Sequence, residues 1–68
     1  MTAYNVGHGY HAVIERRRSG VGPTILVGEL RDSQDRFVTG RTHADNPSGV
    51  GKLLTALTAH AHQAAGAA

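Results

Sequence analysis

Residues 24–43, TILVGELRDSQDRFVTGRTH, decide the fold. Residues 24–31 are mostly apolar or β-branched, which is typical of a buried strand. The polar residues 32–35 follow with the length of a hairpin turn, and residues 36–43 predict a returning strand. The sequence therefore indicates an antiparallel hairpin in the middle of the chain.

A further strand is predicted immediately before this hairpin. Residues 10–17, YHAVIERR, alternate between apolar and polar side chains. In a strand this pattern puts Tyr10, Ala12 and Ile14 on one face and their neighbours on the other. Residues 1–9 contain two glycines without such a pattern, and we expect them to form a flexible arm.

A helix is predicted after the hairpin. Asn46 or Ser48 can cap its start, and Pro47 suits its first turn. Apolar residues then recur at helical spacing, and Gly66 ends the pattern. These residues are Val50, Leu53, Leu54, Leu57, Ala61 and Ala64. The expected fold is α+β, with a three-stranded antiparallel sheet followed by one C-terminal helix (βββα). One domain would span residues 10–65, with a flexible tail at 66–68.

One helix covers only one face of such a sheet, yet the second predicted strand is apolar on both. Leu26 and Leu30 point one way, and Ile25 and Val27 point the other. A chain of 68 residues without cysteine builds a small core and has no disulfides to support it. We therefore expect a homodimer that buries the second face. The expected interface residues are Val13, Ile25, Val27 and Val38.

The composition also limits where the protein acts. No apolar run reaches the roughly 20 residues needed to cross a membrane, and the N-terminal stretch MTAYNVGHGYH lacks the order of a signal peptide. The absence of cysteine fits a reducing compartment. We expect a cytoplasmic protein without a membrane partner.

The stretch NPSGVGKLLTAL, residues 46–57, looks at first like a phosphate-binding loop. The pattern of such loops is G-x-x-x-x-G-K-[ST]. Gly51 and Lys52 match it, but Asn46 replaces the first glycine and Leu53 replaces the hydroxyl residue that holds magnesium. We therefore expect no nucleotide substrate. Two alternatives remain for the glycines: weak anion binding at the helix start, or close packing over the sheet edge.

Catalytic and metal sites are not indicated either. His60 and His62 are two apart on a helix and point in different directions, and His8 and His11 are separated in a similar way. The serines occupy turn or cap positions. We expect a protein that is not an enzyme, with no catalytic residues, no metal and no cofactor.

Arginine makes up six of the seven basic residues, and the formal charge is +2. One interpretation is a surface that contacts nucleic-acid phosphates. The other is that these side chains keep exposed strand edges soluble. The candidate nucleic-acid-binding residues are Arg16, Arg17, Arg18, Arg31, Arg36, Arg41 and Lys52.

From residue 10 to residue 63 the chain resembles a family of small actinobacterial proteins of unknown function with a double-stranded-RNA-binding-like fold. A dormancy-induced member of that family has been likened to ribosome hibernation-promoting factors. The matching features are Tyr10, TILVGELR, FVTGRTHADNP and TALTAHAHQ. The resemblance implies a homodimer that binds RNA or the ribosome, with a role in stress or dormancy. The alternative is a protein-interaction or regulatory module that binds no nucleic acid.

Overall fold

A computed structural model describes residues 2–18 and 20–66. It contains four strands and a helix, in the order β1 (Thr2–Gly7), β2 (Tyr10–Arg18), β3 (Thr24–Arg31), β4 (Phe37–Ala44) and α1 (Gly49–Gly66). The strands form one antiparallel sheet in the order β1-β2-β3-β4. The predicted α+β class, with an antiparallel sheet followed by a C-terminal helix, is confirmed.

The expectation of three strands is wrong, because residues assigned to a flexible arm form β1. Tyr4 and Val6 point towards the helix and pack against the core, as alternate residues of a strand do. The two-residue turn His8–Gly9 joins β1 to β2, and both residues have positive φ, as a tight hairpin turn requires. Gly66, expected to begin the flexible tail, is the last residue of α1, and residues 1, 67 and 68 lie outside the described part of the chain.

The core lies between α1 and one face of the sheet. It consists of two clusters: Ala12, Leu30, Leu57 and Ala61 in one, and Ile14, Leu26 and Leu53 in the other. The predicted division of the strands is confirmed, since Leu26 and Leu30 are buried under the helix while Ile25 and Val27 face away from it and are half-buried. In the described residues no helix combines the length and apolarity that crossing a membrane demands.

Two glycines allow the helix to approach the sheet closely. A Cβ atom on Gly28 would lie 3.0 Å from Leu57 Cδ1, and one on Gly49 would lie 2.6 Å from Leu26 Cδ1. Gly49 is the first residue of α1 and is buried. Of the two alternatives for the helix start, close packing over the sheet therefore describes Gly49. A Cβ on Gly51 would meet nothing within 4 Å.

Candidate interface on the uncovered sheet face

The face of the sheet that α1 does not cover is the candidate functional site, called here the open face. Residues paired across antiparallel strands point to the same side, so the strand register defines its members. On the two central strands they are His11, Val13, Glu15 and Arg17 of β2 and Ile25, Val27, Glu29 and Arg31 of β3. On the outer strands they are Ala3 and Asn5 of β1 and Phe37, Gly40, Thr42 and Ala44 of β4.

The structure brings three of the four predicted interface residues together. Val13, Ile25 and Val27 share the open face, but Val38 lies on the opposite side and packs against the core cluster of Leu30 and Leu57. The cause is a register shift in the pairing of β3 with β4, between Leu30 and Arg31. Phe37, absent from the predicted interface, pairs with Arg31 and belongs to the open face instead.

Phe37 is 61% exposed. Its ring lies over Gly40, with ring carbons 3.5 Å from the position that a Cβ on Gly40 would take. The open face therefore offers an aromatic side chain at one edge as well as the three aliphatic side chains near its centre.

The open face carries the same short pattern twice. Val13, Glu15 and Arg17 alternate along β2, and Val27, Glu29 and Arg31 alternate along β3. Because the strands run in opposite directions and Ile14 pairs with Gly28, each Val-x-Glu-x-Arg segment is related to the other by a local two-fold axis normal to the sheet. Val13 therefore lies beside Glu29, and Glu15 lies beside Val27.

Both glutamates bind the arginine two residues further along the same strand. Arg17 pairs with Glu15, and Arg31 Nη2 donates to Glu29 Oε2 at 2.8 Å. These long side chains run along the sheet beside Val13 and Val27 and border a shallow depression of about 300 Å³. The open face is thus partly apolar, with Glu–Arg ion pairs beside its aliphatic side chains.

The two arginines differ in what else holds them. Arg31 also donates to the backbone oxygen of Asp35 at 3.1 Å, and its Nη1 lies 3.7 Å from Asp35 Oδ1. His11 Nε2 lies 3.1 Å from the same carboxylate oxygen. The Arg31 side chain is consequently 31% exposed, whereas the Arg17 side chain, which pairs with Glu15, is 61% exposed. Of these two arginines, Arg17 is therefore the more accessible to a second molecule.

Two other predicted arginines bind acids away from the open face. Arg16 Nε donates to Asp45 Oδ2 at 2.7 Å, and Arg36 Nε donates to Asp32 Oδ2 at 3.0 Å within the β3–β4 turn. The backbone N–H of Arg36, and then that of Gln34, also donate to Asp32, and these bonds lower the pKa of its carboxyl.

The remaining basic candidates, Arg18, Arg41 and Lys52, make no ion pair within residues 2–18 and 20–66. They belong to three different elements: the end of β2, the edge strand β4 and the first turn of α1. The other four candidates, Arg16, Arg17, Arg31 and Arg36, are bound to carboxylates.

Comparisons with known proteins identify no relative. A scan against protein-family models gave no match, and searches of curated proteins and of solved structures gave no significant match.

Proposed function

We propose that this protein is a small homodimeric interaction module without catalytic activity, and that its open face binds a second copy of the chain. The observation that carries the proposal is the complementarity of two neighbouring rows on this face. The Glu15 row contains Glu15, Val27 and Thr42, and the Arg17 row contains Arg17, Ile25 and Ala44.

The proposed dimer axis is a two-fold axis that lies parallel to the sheet, perpendicular to the strands and midway between the two rows. It places each row of one copy opposite the other row of the second copy. Glu15 then faces Arg17 of the second copy, and Val27 faces its Ile25. Symmetry repeats each contact, so the interface is isologous. Sheets that pack face to face with strands nearly aligned lie about 10 Å apart, and glutamate and arginine side chains together span that distance.

Both kinds of contact favour this arrangement. Ile25 and Val27 lose exposed apolar surface against each other. Glu15 and Arg17 of both copies form a network of four alternating charges, which is stronger than an isolated surface pair. No carboxylate is separated from its arginine, so no unpaired charge becomes buried.

The half of the open face that contains Glu29 and Arg31, which the local two-fold axis relates to Glu15 and Arg17, is less suited to such contacts between two copies. Arg31 is already held by Glu29 and Asp35, and Val13 would face His11 of the second copy instead of an aliphatic side chain. The local two-fold symmetry thus offers two possible overlaps, and the charges favour the one that contains Arg17. Since this overlap covers two rows of the face, we expect a dimer that dissociates on dilution.

The ion pairs favour this function over RNA or ribosome binding. A phosphate-contacting arginine must leave its carboxylate, which offsets the electrostatic gain. An RNA surface would rely on Arg18, Arg41 and Lys52, which are spread over three elements. The role in stress or dormancy implied by the resemblance is compatible with a dimer but is not needed for it.

Sedimentation velocity over a range of protein concentrations tests the proposal. We expect the wild-type protein to associate to a dimer as concentration rises. Glu15→Arg and Arg17→Glu should each remain monomeric, because each places like charges opposite each other. An equimolar mixture of the two variants should dimerise again, since every facing pair then has opposite charges.

Glu29→Arg is the matched control, because Glu29 is the local two-fold equivalent of Glu15 but lies outside the two facing rows. We expect this variant to keep the dimer. A wild-type protein that stays monomeric at every concentration would refute the homodimer. A wild-type dimer whose Glu15→Arg and Arg17→Glu variants do not associate on mixing would refute the facing rows alone.

A further inference from the structure

Two histidines far apart in the sequence meet on the helix side of the sheet, away from the open face. His62 Nδ1 lies 3.3 Å from His8 Nε2, although 54 positions separate the two residues. Their ring centroids are 5.3 Å apart and the ring planes are inclined by 57°. Both side chains are exposed. The rings are therefore not stacked, and one nitrogen of each points towards the other.

The backbone segments that carry the two rings are held next to each other. His8 is the first residue of the turn between β1 and β2 and has a φ of 57°, a left-handed conformation flanked by Gly7 and Gly9, whose φ values are also positive. His62 lies in the last turns of α1. Val6, two residues before His8, packs against the core cluster that contains Ala61, the residue before His62, and this contact fixes the hairpin against the helix.

We propose that His8 and His62 form a binding site for a divalent transition metal ion such as Zn²⁺, Ni²⁺ or Cu²⁺. Imidazole nitrogens bind Zn²⁺ at about 2.0–2.1 Å, and two such ligands at a tetrahedral angle lie about 3.4 Å apart. The observed separation of 3.3 Å matches that spacing. Little movement is needed for both nitrogens to face one ion.

Metal binding requires one particular tautomer of each ring. At a separation of 3.3 Å the two facing nitrogens form a hydrogen bond only in tautomers that place a hydrogen on one of them. On binding, both facing nitrogens present a lone pair, and the hydrogens occupy His8 Nδ1 and His62 Nε2. The ion then occupies the position between the two facing nitrogens.

The site has two protein ligands. No group of three or more histidine, cysteine or acidic residues in the described part of the chain could hold a metal. Water or a small external ligand completes the coordination, and a shallow depression beside the rings, lined by Leu54, Thr58 and Ala59, leaves room for it. We therefore expect an exposed site with modest affinity and exchangeable ligands.

Titration of the untagged protein with ZnCl₂, NiCl₂ or CuCl₂ by isothermal calorimetry tests the site. We expect one ion per chain. The Tm measured by circular dichroism should rise by about 5 °C or more when the free metal concentration exceeds Kd tenfold, because the ion binds the folded state. His8→Asn and His62→Gln should abolish both effects; Asn is chosen at residue 8 because it tolerates a left-handed φ.

His60→Gln is the control, since His60 lies on the same helix as His62 but points in a different direction, about 200° around the helix axis. It should bind metal as the wild type does. The proposal is overturned if no ion causes a binding heat or a thermal shift, or if both persist in His8→Asn and His62→Gln. Equal loss in His60→Gln would also overturn it.

Discussion

Alanine substitutions at two glycines of the first helical turn should have opposite effects on stability. Gly49 and Gly51 are two residues apart in α1, and the sequence alone does not distinguish their roles. A Cβ on Gly49 would lie 2.6 Å from Leu26 Cδ1 and 2.7 Å from the carbonyl oxygen of Ala44. A Cβ on Gly51 would have open space.

The size of each effect follows from these contacts. Overpacking a well-packed site costs about 1–3 kcal/mol, and we expect the upper half of that range for Gly49→Ala. The reason is that Leu26 is only 2% exposed and the Ala44 oxygen belongs to the sheet backbone. Gly51→Ala should instead stabilise the protein by about 0.5–1 kcal/mol, because alanine loses less backbone entropy than glycine in a helix.

Thermal melts by circular dichroism at one fixed protein concentration measure both effects. At about 4–8 °C per kcal/mol for a domain of this size, we expect Gly49→Ala to lower the Tm by about 10 °C and Gly51→Ala to raise it by a few degrees. Urea titrations should give the same order. A Gly49→Ala protein as stable as the wild type would refute the close packing of the helix start against the sheet.

Two further predictions concern charged groups. The pKa of Asp32 is lowered mainly by the Arg36 backbone N–H. Its ionised form therefore stabilises the fold at pH values above the ordinary pKa of 3.8, and this contribution is lost as the pH falls through the lowered pKa. In urea titrations the stability difference between wild type and Asp32→Asn should shrink between pH 5 and pH 2, and a constant difference would contradict this. Fluorescence anisotropy should detect no binding of duplex RNA at 50 mM salt. The RNA-binding alternative would be favoured by measurable binding whose affinity falls by about two orders of magnitude between 50 and 200 mM salt, as four phosphate contacts predict.

The sequence predicts the elements whose side-chain patterns are long and regular. Residues 24–31 form β3 with the predicted bounds, and β2 extends the predicted strand by one residue. β1 is not predicted because the glycines at its end indicate flexibility in the sequence, whereas in the structure Gly7 and Gly9 flank a tight turn. The signal that could have revealed it is the placement of Tyr4 and Val6 two residues apart, on the face that packs against the core.

The candidate site was predictable in part, for a similar reason. Which face Ile25 and Val27 occupy follows from the period of two in a strand. The position of Val38 does not, because a bulge in β4 is a property of the pairing of two strands. Arg16 and Asp45 are 29 positions apart, so their ion pair depends on the folded chain, as does the contact of His8 with His62.

The local two-fold symmetry of the open face shows how sequence and register act together. The two Val-x-Glu-x-Arg segments can be read directly from residues 13–17 and 27–31. They become symmetric neighbours only because Ile14 pairs with Gly28; a slip of one residue would turn one segment towards the helix. Gly28 is also where Leu53 and Leu57 pack closely against the sheet. A side chain at this position would therefore press against the helix and leave the open face unchanged. Gly28 thus lies at the centre of the symmetric open face and also determines how closely α1 packs on the opposite face of the sheet.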